Sequence, residues 1–513
     1  MDLLLPFVLG LLPIIWLVVA LVGLKMQAPV AAAGALVVAA VLAVAYWHMS
    51  AINLATAALE GILMALWPIV IVIIAAVFTY NVTVHTGAIE IIKMMLTSVS
   101  SHQRVLALLI GWCFGGFLEG MAGFGTAVAI PASMMIALGF DPMKAVLVCL
   151  LANGVPTMFG SIGIPTTTLA SITGLDATSL ALTQALQVAP FVIATPFLIV
   201  MLVGDGPKGM RGCLPVTLAA GLSMAIPEIA TAAIAGADLP MVVASVVSLV
   251  ITFVVAKATN HKIDQIHPTH NANKDVVIWW DAALRAWAPF ILVFIVLILT
   301  SKMVPAINGP LSSIKTVANI YQGDPNATLT FTWINTPGVL ILICGVLGAL
   351  AQGCSWQEIG EVLLATVKQM SKTIATMLAI LACAKIMGYS GMIASIAAFF
   401  VGTLGGVYPL VAPLLGALGT FVTGSGTSSE VLFGNVQVHA AEAIGCDPTW
   451  LAASNSLGVS AGKMLSPQNI AIGCASEELA GKDAEVMGKI APYAAVYAVL
   501  MSVLVFVGAL LGW

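Results

Sequence analysis

Apolar runs long enough to cross a bilayer follow one another along almost the whole chain, beginning with residues 3–23. A membrane-spanning helix needs about 20 consecutive apolar residues. Only 8% of the 513 residues are charged, whereas soluble domains contain about 25%, so a soluble core is excluded. The runs also lack the period-two alternation of a membrane β-barrel. The sequence therefore predicts an all-α polytopic membrane protein with 12–14 transmembrane helices.

Lysine and arginine are concentrated in a few short segments between the apolar runs. These segments are 24–27, 81–104, 204–212 and 257–285. Positively charged loops stay on the cytoplasmic side of a membrane, which predicts cytoplasmic segments here and an external N-terminus. The first apolar run has no basic segment before it and no small-residue cleavage site after it. We therefore interpret it as a retained span and not as a signal peptide.

One apolar region, residues 105–175, contains residues that a plain membrane helix does not need. Its part from Gly115 to Ala170 includes Glu119, Asn153, several hydroxyl side chains and many glycines and prolines. Helices break at membrane depth only where protein or a water-filled cavity surrounds the freed backbone groups. The N–H groups at such a break attract anions. We therefore expect a broken or re-entrant helix that forms part of a polar site.

A comparable region, residues 410–475, lies in the second part of the chain. Three landmarks recur in the same order in both regions: a Gly-Thr step, an Asp-Pro step and a final polar step that contains proline. They are Gly125-Thr126 and Gly426-Thr427, Asp141-Pro142 and Asp447-Pro448, and Pro165-Thr166 and Pro467-Gln468. The first glycine and the last proline are 40 residues apart in one region and 41 in the other. Matched interruptions in two halves of a transporter point to its binding site.

The longest polar segment, residues 257–283, divides the chain into two nearly equal parts. We expect it to connect a first transmembrane half, residues 1–256, to a second, residues 284–513. Each half then contains one broken region, so the halves are predicted to be pseudo-repeats. Hydropathy leaves open whether each broken region crosses or re-enters the membrane, and hence whether the halves are inverted.

Three ionisable residues of the broken regions are candidates for function, because a charge inside a span costs about 2.5–3.5 kcal/mol on insertion scales. Glu119 has Gly, Phe, Leu and Met as neighbours, and such surroundings suit a carboxylate that takes and releases a proton. Lys463 is the expected counter-charge of a small carboxylate, or the partner of Glu119 or Glu430, and a purely structural pair is the alternative. Glu430 has the alternative role of complementing a helix dipole.

The run Thr423–Ser429 is dense in hydroxyl groups and glycine. At a helix break, such a run offers backbone N–H groups and hydroxyl donors that suit a carboxylate or a hydroxy acid. A close polar contact between helices is the alternative. The facing breaks are expected at 163–166 and 466–469. The predicted substrate-binding residues are Gly123, Phe124, Gly125, Thr126, Asn153, Thr166, Thr423, Ser425, Thr427, Ser428, Ser429, Asn455, Lys463, Ser466, Gln468 and Asn469, and the predicted proton-coupling residues are Glu119 and Glu430.

Other classes of site lack their sequence signatures. The chain has no Walker A motif, no metal-ligand cluster and no nucleophile triad, and its eight cysteines show no CxxC spacing. It also lacks the basic clusters that indicate nucleic-acid binding. We therefore expect no cofactor, no metal and no nucleic-acid partner.

Five blocks of the sequence resemble the L-lactate permease family. They are LWPIVIVIIAAVF (66–78), FGGFLEGMAGFG (114–125), RAWAPF (285–290), TGSGTSSEVLF (423–433) and SPQNIAIGCA (466–475). The resemblance covers nearly the whole chain. It implies a proton-coupled secondary transporter of small 2-hydroxy monocarboxylates (L-lactate, D-lactate and glycolate) in the bacterial inner membrane, hence a multi-pass plasma-membrane protein and not an enzyme. It also implies inverted repeats with hairpins and an elevator-like motion.

Three other functions stay open at this point: a sodium-coupled transporter of another small organic anion, a channel and a membrane enzyme. A channel favours symmetric pore-lining segments in an oligomer, whereas two broken stretches in one long chain suit alternating access. An enzyme needs a nucleophile–base pair or metal ligands, and the seven histidines show no such grouping. The expected partners are a small monocarboxylate, a proton and the lipid bilayer, and the sequence leaves a homo-oligomer open.

A cysteine introduced at Asn271 tests the predicted topology. Because residues 257–283 are expected in the cytoplasm, a membrane-impermeant maleimide should label the Asn271→Cys variant only after the cells are permeabilised. An Asp2→Cys variant, at the N-terminus that is predicted to be external, is the positive control for labelling of intact cells. Labelling of Asn271→Cys in intact cells would contradict this topology.

Overall fold

A computed structural model of the chain describes residues 3–24, 26–97, 100, 102–121, 123, 126–259, 279–301, 304–325, 327–474, 479 and 482–512. Among these residues, twelve helical segments are long and apolar enough to cross a membrane. The predicted all-α polytopic architecture with 12–14 spans is therefore confirmed.

Thirteen helices precede residue 260 in the described part of the chain. They are α1 (Leu4–Val18), α2 (Ala28–Ala45), α3 (Ala51–Met64), α4 (Ile71–His85), α5 (Ala88–Thr97), α6 (Gln103–Leu106), α7 (Gly115–Met121), α8 (Thr126–Ala137), α9 (Pro142–Gly154), α10 (Gly160–Thr173), α11 (Ala177–Val203), α12 (Leu214–Ala235) and α13 (Pro240–Thr259). Short π-helical or 3-10 segments extend or link several of them, at Val19–Gly23, Ala65–Val70, Ala107–Phe114, Val155–Phe159 and Pro207–Met210.

Ten further helices and one β-hairpin follow residue 279. The helices are α14 (Trp280–Thr300), α15 (Pro305–Ser313), α16 (Pro337–Ala351), α17 (Trp356–Ser390), α18 (Met392–Leu404), α19 (Ala412–Thr423), α20 (Gly426–Ile444), α21 (Pro448–Leu465), α22 (Pro467–Gly473) and α23 (Asp483–Leu510), with a 3-10 turn at Gly405–Leu410. Strands β1 (Lys315–Ala318) and β2 (Leu329–Thr332) pair antiparallel, with Lys315 opposite Thr332. Residues 260–278 of the predicted connecting loop lie outside the described residues, so the division into two halves stays a prediction.

Helices α3 and α4 belong to one bent span, Ala51–His85. Ser50 caps its start, because the Ser50 hydroxyl accepts a hydrogen bond from the Asn53 N–H at 3.3 Å. The bend lies at Trp67, whose φ of −132° and ψ of 115° are not helical. Trp67 precedes Pro68, and a proline disfavours the helical conformation of the residue before it.

The helices of the two broken regions are interrupted at four places. The first break separates α7 from α8, and the second lies within α10, where Ser161, Ile162 and Gly163 have φ values of 46°, 57° and 68°. The third lies at Gly424, with φ of 71°, between α19 and α20, and the fourth at Ser466 between α21 and α22. Each broken region therefore contains two interruptions, as the glycine and proline content predicts.

The two Asp-Pro landmarks perform the same local task. The carboxylate of Asp141 accepts from the Lys144 N–H at 2.9 Å, and that of Asp447 accepts from the Thr449 N–H at 2.7 Å. Each aspartate thus caps the helix that its proline begins, α9 or α21. The shared caps agree with a repeat, although a repeat of the whole halves stays a prediction.

Helices α19 and α21 lie in very close contact because glycines occupy their interface. A Cβ atom at Gly458 would overlap the carbonyl group of Pro413, and one at Gly462 would overlap that of Ala417. Small residues let two membrane helices approach until their backbones touch. This contact holds the third break, at the end of α19, beside the last turn of α21.

A valine at Gly458 should separate the two helices. Because the added side chain meets backbone atoms that cannot move aside, we expect Gly458→Val to destabilise the detergent-purified protein by at least about 1–3 kcal/mol, the usual cost of overpacking. Thermal unfolding measures the effect. The control is Gly488→Val on α23, where no atom lies within 4 Å of an added Cβ. Equal unfolding temperatures for the two variants would contradict this packing.

Candidate functional site

Three of the four helix breaks, the second, third and fourth, meet around one cavity of about 550 Å³, which we call the central cavity. Its lining includes residues on α7 and α10 from the first broken region and residues around the third and fourth breaks from the second. These residues are Glu119, Thr157, Gly160, Ser161, Pro165, Thr423, Gly424, Ser425, Gly426, Thr427, Ser428, Lys463, Pro467, Gln468 and Asn469. The volume lies in the usual range of small-molecule sites, about 300–1,000 Å³.

A second wall of the central cavity was not predicted from the sequence. It consists of α17 residues, among them Lys372, Thr373 and Thr376, and of the connection between α1 and α2 at Met26–Pro29. The sequence places Lys372, Thr373 and Thr376 directly after the polar first part of α17, which also contains Glu358 and Lys368. Their proximity to the broken regions depends on helix packing, so no local pattern could reveal it.

Glu119 and Lys463 form a buried ion pair at the edge of the central cavity. The Lys463 Nζ lies 2.5 Å from the Glu119 Oε1, and their side chains are only 7% and 3% exposed. The Asn153 amide donates to the Glu119 Oε2 at 2.6 Å. A side chain at Gly160 would collide with the same carboxylate. Among the partners that the sequence leaves open for Lys463, the structure therefore selects Glu119 and not Glu430.

Glu430 is a second buried carboxylate, behind the wall of the central cavity. The Asn455 amide donates to its Oε2 at 2.8 Å. Its Oε1 is buried and has no hydrogen-bond partner among the described residues, and no described lysine or arginine forms an ion pair with it. Both candidate carboxylates thus accept from an asparagine, but a cation accompanies only Glu119.

The hydroxyl-rich run forms the third break and the start of α20. Ser425 caps α20 by accepting from the Ser428 N–H at 3.3 Å, and Thr423 donates to the Gly419 carbonyl at 2.7 Å. The Ser428 hydroxyl is buried beside the cavity and has no partner among the described residues. Thr427 also lines the cavity. The positive end of the α20 dipole and unsatisfied donors therefore face the same space.

Eight of the 18 predicted site residues line the central cavity, and most others support its wall. Asn153, Glu430 and Asn455 lie behind the wall in the contacts given above. Thr166 bonds Gln184 at 2.7 Å, Ser429 donates to the Gly416 carbonyl at 2.7 Å, and Ser466 is buried. Gly123 is buried against Ser161. Phe124 and Gly125 lie outside the described residues, as does the side chain of Thr126.

Comparison with known proteins identifies the family. The family model described as L-lactate permease matches residues 6–512. This chain belongs to the L-lactate permease family. An L-lactate permease of Streptococcus iniae is 40% identical over 88% of this chain and 94% of its own length. The L-lactate permease of Salmonella typhimurium is 33% identical (93% and 90%), and the glycolate permease GlcA of Escherichia coli is 32% identical (96% and 94%).

Membership of this family confirms what the sequence blocks imply about class. The chain is a transporter and not an enzyme, and its twelve candidate spans make it a multi-pass plasma-membrane protein. Among solved structures, the YdaH transporter of Alcanivorax borkumensis aligns with a TM-score of 0.48 at 15% identity, over 86% of this chain and 85% of that one. This similarity is too low to show a shared fold.

Removal of single hydroxyl groups tests the contribution of the third break. Because Thr427 and Ser428 face the central cavity, Thr427→Val or Ser428→Ala should raise the KM for uptake about tenfold, the effect of about one lost hydrogen bond of 1.4 kcal/mol. Membrane insertion should not change. The matched control is Thr403→Val on α18, whose hydroxyl bonds its own helix at 2.8 Å. Unchanged transport kinetics in both test variants would remove this run from the site.

Proposed function

We propose that this protein imports small 2-hydroxy monocarboxylates, L-lactate, D-lactate and glycolate, by proton symport through the central cavity. The observation that supports this function most strongly is the Glu119–Lys463 pair. It places a carboxylate that can bind a proton 2.5 Å from an ammonium that can bind an anion. The names of the relatives, L-lactate permease and glycolate permease, supply the substrate class.

The lining of the central cavity suits each part of such a substrate. The Lys463 ammonium attracts the carboxylate, and the start of α20 adds hydroxyl and backbone donors from Thr427 and Ser428. Gln468 and Asn469 offer amide groups that pair with the substrate hydroxyl. The exposed Lys372 adds positive charge to the second wall, which draws anions toward the cavity.

The ion pair supplies a physical reason for coupling. In the empty carrier, Lys463 is neutralised by Glu119, so an incoming carboxylate has no free cation to pair with. A proton that binds Glu119 releases Lys463, and the substrate carboxylate then takes the place of the Glu119 charge. The proton and the anion therefore bind together. Each strengthens the binding of the other, and this mutual effect is reciprocal linkage.

Charge balance favours the fully empty and the fully loaded carrier. The empty pair is neutral, and protonated Glu119 with Lys463 and one carboxylate is also neutral. A carrier with substrate alone or proton alone has a net charge at this buried site, and moving one charge across 100 mV involves about 2.3 kcal/mol. Partly loaded forms are therefore disfavoured, which prevents leakage of either species.

Glu430 is the second carboxylate of the proposed coupling site, in a subordinate role. Its Asn455 partner matches the Asn153 partner of Glu119. However, protonation of Glu430 would release no cation among the described residues, so it does not free a site for the substrate. We therefore assign the coupling proton to Glu119, and Glu430 is the second candidate for this role.

A glutamine at position 119 tests the coupling. Glu119→Gln has the shape and charge of the protonated state, so the variant should lose lactate accumulation driven by a pH gradient while exchange of lactate for lactate survives. In proteoliposomes, one imposed pH unit corresponds to about 1.4 kcal/mol and should give the wild type about tenfold accumulation. The variant should reach a ratio of about one.

Two comparisons complete this test. Glu361→Gln, at an exposed position on α17, is the matched control and should accumulate lactate like the wild type. If Glu119→Gln still accumulates lactate under the pH gradient, Glu119 is structural and Glu430 is the next residue to change. An imposed sodium gradient that drives uptake at equal pH would instead support the sodium-coupled alternative.

A further inference from the structure

A second cavity, of about 230 Å³, lies between α3, α10, α17 and α20. It shares no lining residue with the central cavity, although α10, α17 and α20 contribute to both. Its apolar wall includes Met64, Ile172, Leu381 and Val431. Its polar groups are Lys385, Tyr389, Asn435 and His439. A cavity smaller than a typical drug site of about 300–1,000 Å³ fits a ligand of few atoms.

One face of α17 leads from the central cavity to the second cavity. Thr373 and Met377 line the first, whereas Leu381 and Lys385 line the second. These residues follow one another at intervals of four, so they form one continuous ridge that is inclined to the helix axis. Twelve residues separate Thr373 from Lys385, which corresponds to about 18 Å along the helix axis.

One face of α20 follows the same direction. Thr427 lines the central cavity, and Val431, Asn435 and His439 line the second cavity, again at intervals of four. The distance from Thr427 to His439 is also twelve residues, about 18 Å. Both cavities are therefore lined by α17 and α20, and on each helix the second cavity lies nearer the C-terminal end than the central cavity.

Lys385 presents free hydrogen-bond donors to the second cavity. Its ammonium has three N–H donors, and its acidic partner among the described residues is Glu60, at 2.8 Å. The side chains are 17% and 4% exposed. The Lys385 Nζ also lies 5.4 Å from the centroid of the Tyr389 ring, and the Asn435 side chain lines the same cavity. A lysine with two further N–H donors and an amide side chain therefore line the same cavity.

Glu60 and two tyrosines hold Lys385 in place from the opposite side. The Tyr389 hydroxyl donates to the Glu60 Oε1 at 2.7 Å, the same oxygen that pairs with Lys385. Tyr321, from the segment between β1 and β2, stacks on Tyr389 with ring centroids 3.8 Å apart. The Glu60 Oε2 is buried without a partner among the described residues. The lysine is therefore positioned with only one of its donors used.

We propose that the second cavity binds a small 2-hydroxy monocarboxylate, as a waiting position on the route to or from the central cavity. This site rests on the proposed function, because it takes the same substrate class. Lys385 stays paired with Glu60 and donates its remaining N–H groups to the substrate carboxylate as a hydrogen-bond donor, Asn435 bonds the hydroxyl group, and Leu381 and Val431 contact the carbon atoms. His439, at the rim with a 48% exposed side chain, adds a further donor.

The alternative is that Glu60 and Lys385 form an ion pair that only joins α3 to α17. A buried pair can serve structure alone. The two interpretations make different predictions. If the ion pair is only structural, added substrate does not change how easily a reagent reaches the second cavity. A reporter inside that cavity therefore separates them.

The reporter is a cysteine at Gly388, which lines the second cavity and has only the end of Ile393, at 3.9 Å, near an added Cβ. Alkylation of Gly388→Cys by N-ethylmaleimide is measured in proteoliposomes with lactate or with sodium chloride of equal ionic strength. At a lactate concentration roughly ten times the Kd, mass action should slow alkylation about tenfold. The unsubstituted chain, whose described cysteines are buried apart from Cys446, gives the background.

Three backgrounds assign the protection to a site. It should persist with Lys463→Gln, which disables the central cavity. It should disappear with Glu60→Gln/Lys385→Gln, which removes the cation but keeps an amide contact, and with Asn435→Leu, which leaves the ion pair intact. The matched double control is Lys144→Gln/Asp205→Asn, a pair outside both cavities with a 2.5 Å contact, in which protection should remain.

A reporter at Gly360 controls for general effects of lactate. Gly360 lies on the same helix, outside both cavities, with no atom within 4 Å of an added Cβ, so alkylation of Gly360→Cys should not respond to lactate. The second site is overturned if lactate never protects Gly388→Cys, if protection survives in Glu60→Gln/Lys385→Gln and Asn435→Leu, or if Lys463→Gln abolishes it. Absence of lactate uptake by the unsubstituted protein would instead refute the proposed function.

Discussion

The buried contact between Glu119 and Lys463 is the interaction on which the rest of the site depends. Two opposite charges, each more than nine-tenths buried, are tolerated in such a position only when they are paired and hydrogen-bonded. The surrounding structure meets this requirement with Asn153, which donates to the carboxylate, and with Gly160, whose missing side chain leaves room for it. The result is a neutral unit that can exchange its internal partner for an external one.

The helix breaks and the ion pair explain each other. A break at membrane depth exposes N–H and C=O groups that lipid cannot satisfy, so breaks are expected to gather around shared polar space. Here three breaks surround one cavity, and the third and fourth are held together by contacts such as Gly424 against Gln468. The same convergence brings Lys463 to the carboxylate of Glu119, 344 residues earlier in the chain.

A second ion pair, Glu60 with Lys385, joins α3 to α17 at the second cavity. In both pairs the acid comes from the first predicted half of the chain and the lysine from the second. Any relative movement of the two halves would therefore have to separate or exchange these charges. Under the proposed function, a substrate carboxylate takes the place of Glu119 as the partner of Lys463, and the ligand would then lower the energy of such a movement.

The sequence by itself determined the class of fold, the two broken regions and the family, and it singled out Glu119, Lys463 and the Thr423–Ser429 run as candidates for function. Those conclusions follow from local properties, since hydropathy, glycine and proline content and short blocks are all read over a few adjacent residues. Only the tertiary structure decided that Lys463 pairs with Glu119, that Thr166 and Asn455 stand behind the wall, and that α17 closes the cavity. Such choices depend on which helix faces pack together across hundreds of residues, and no local pattern encodes that distance.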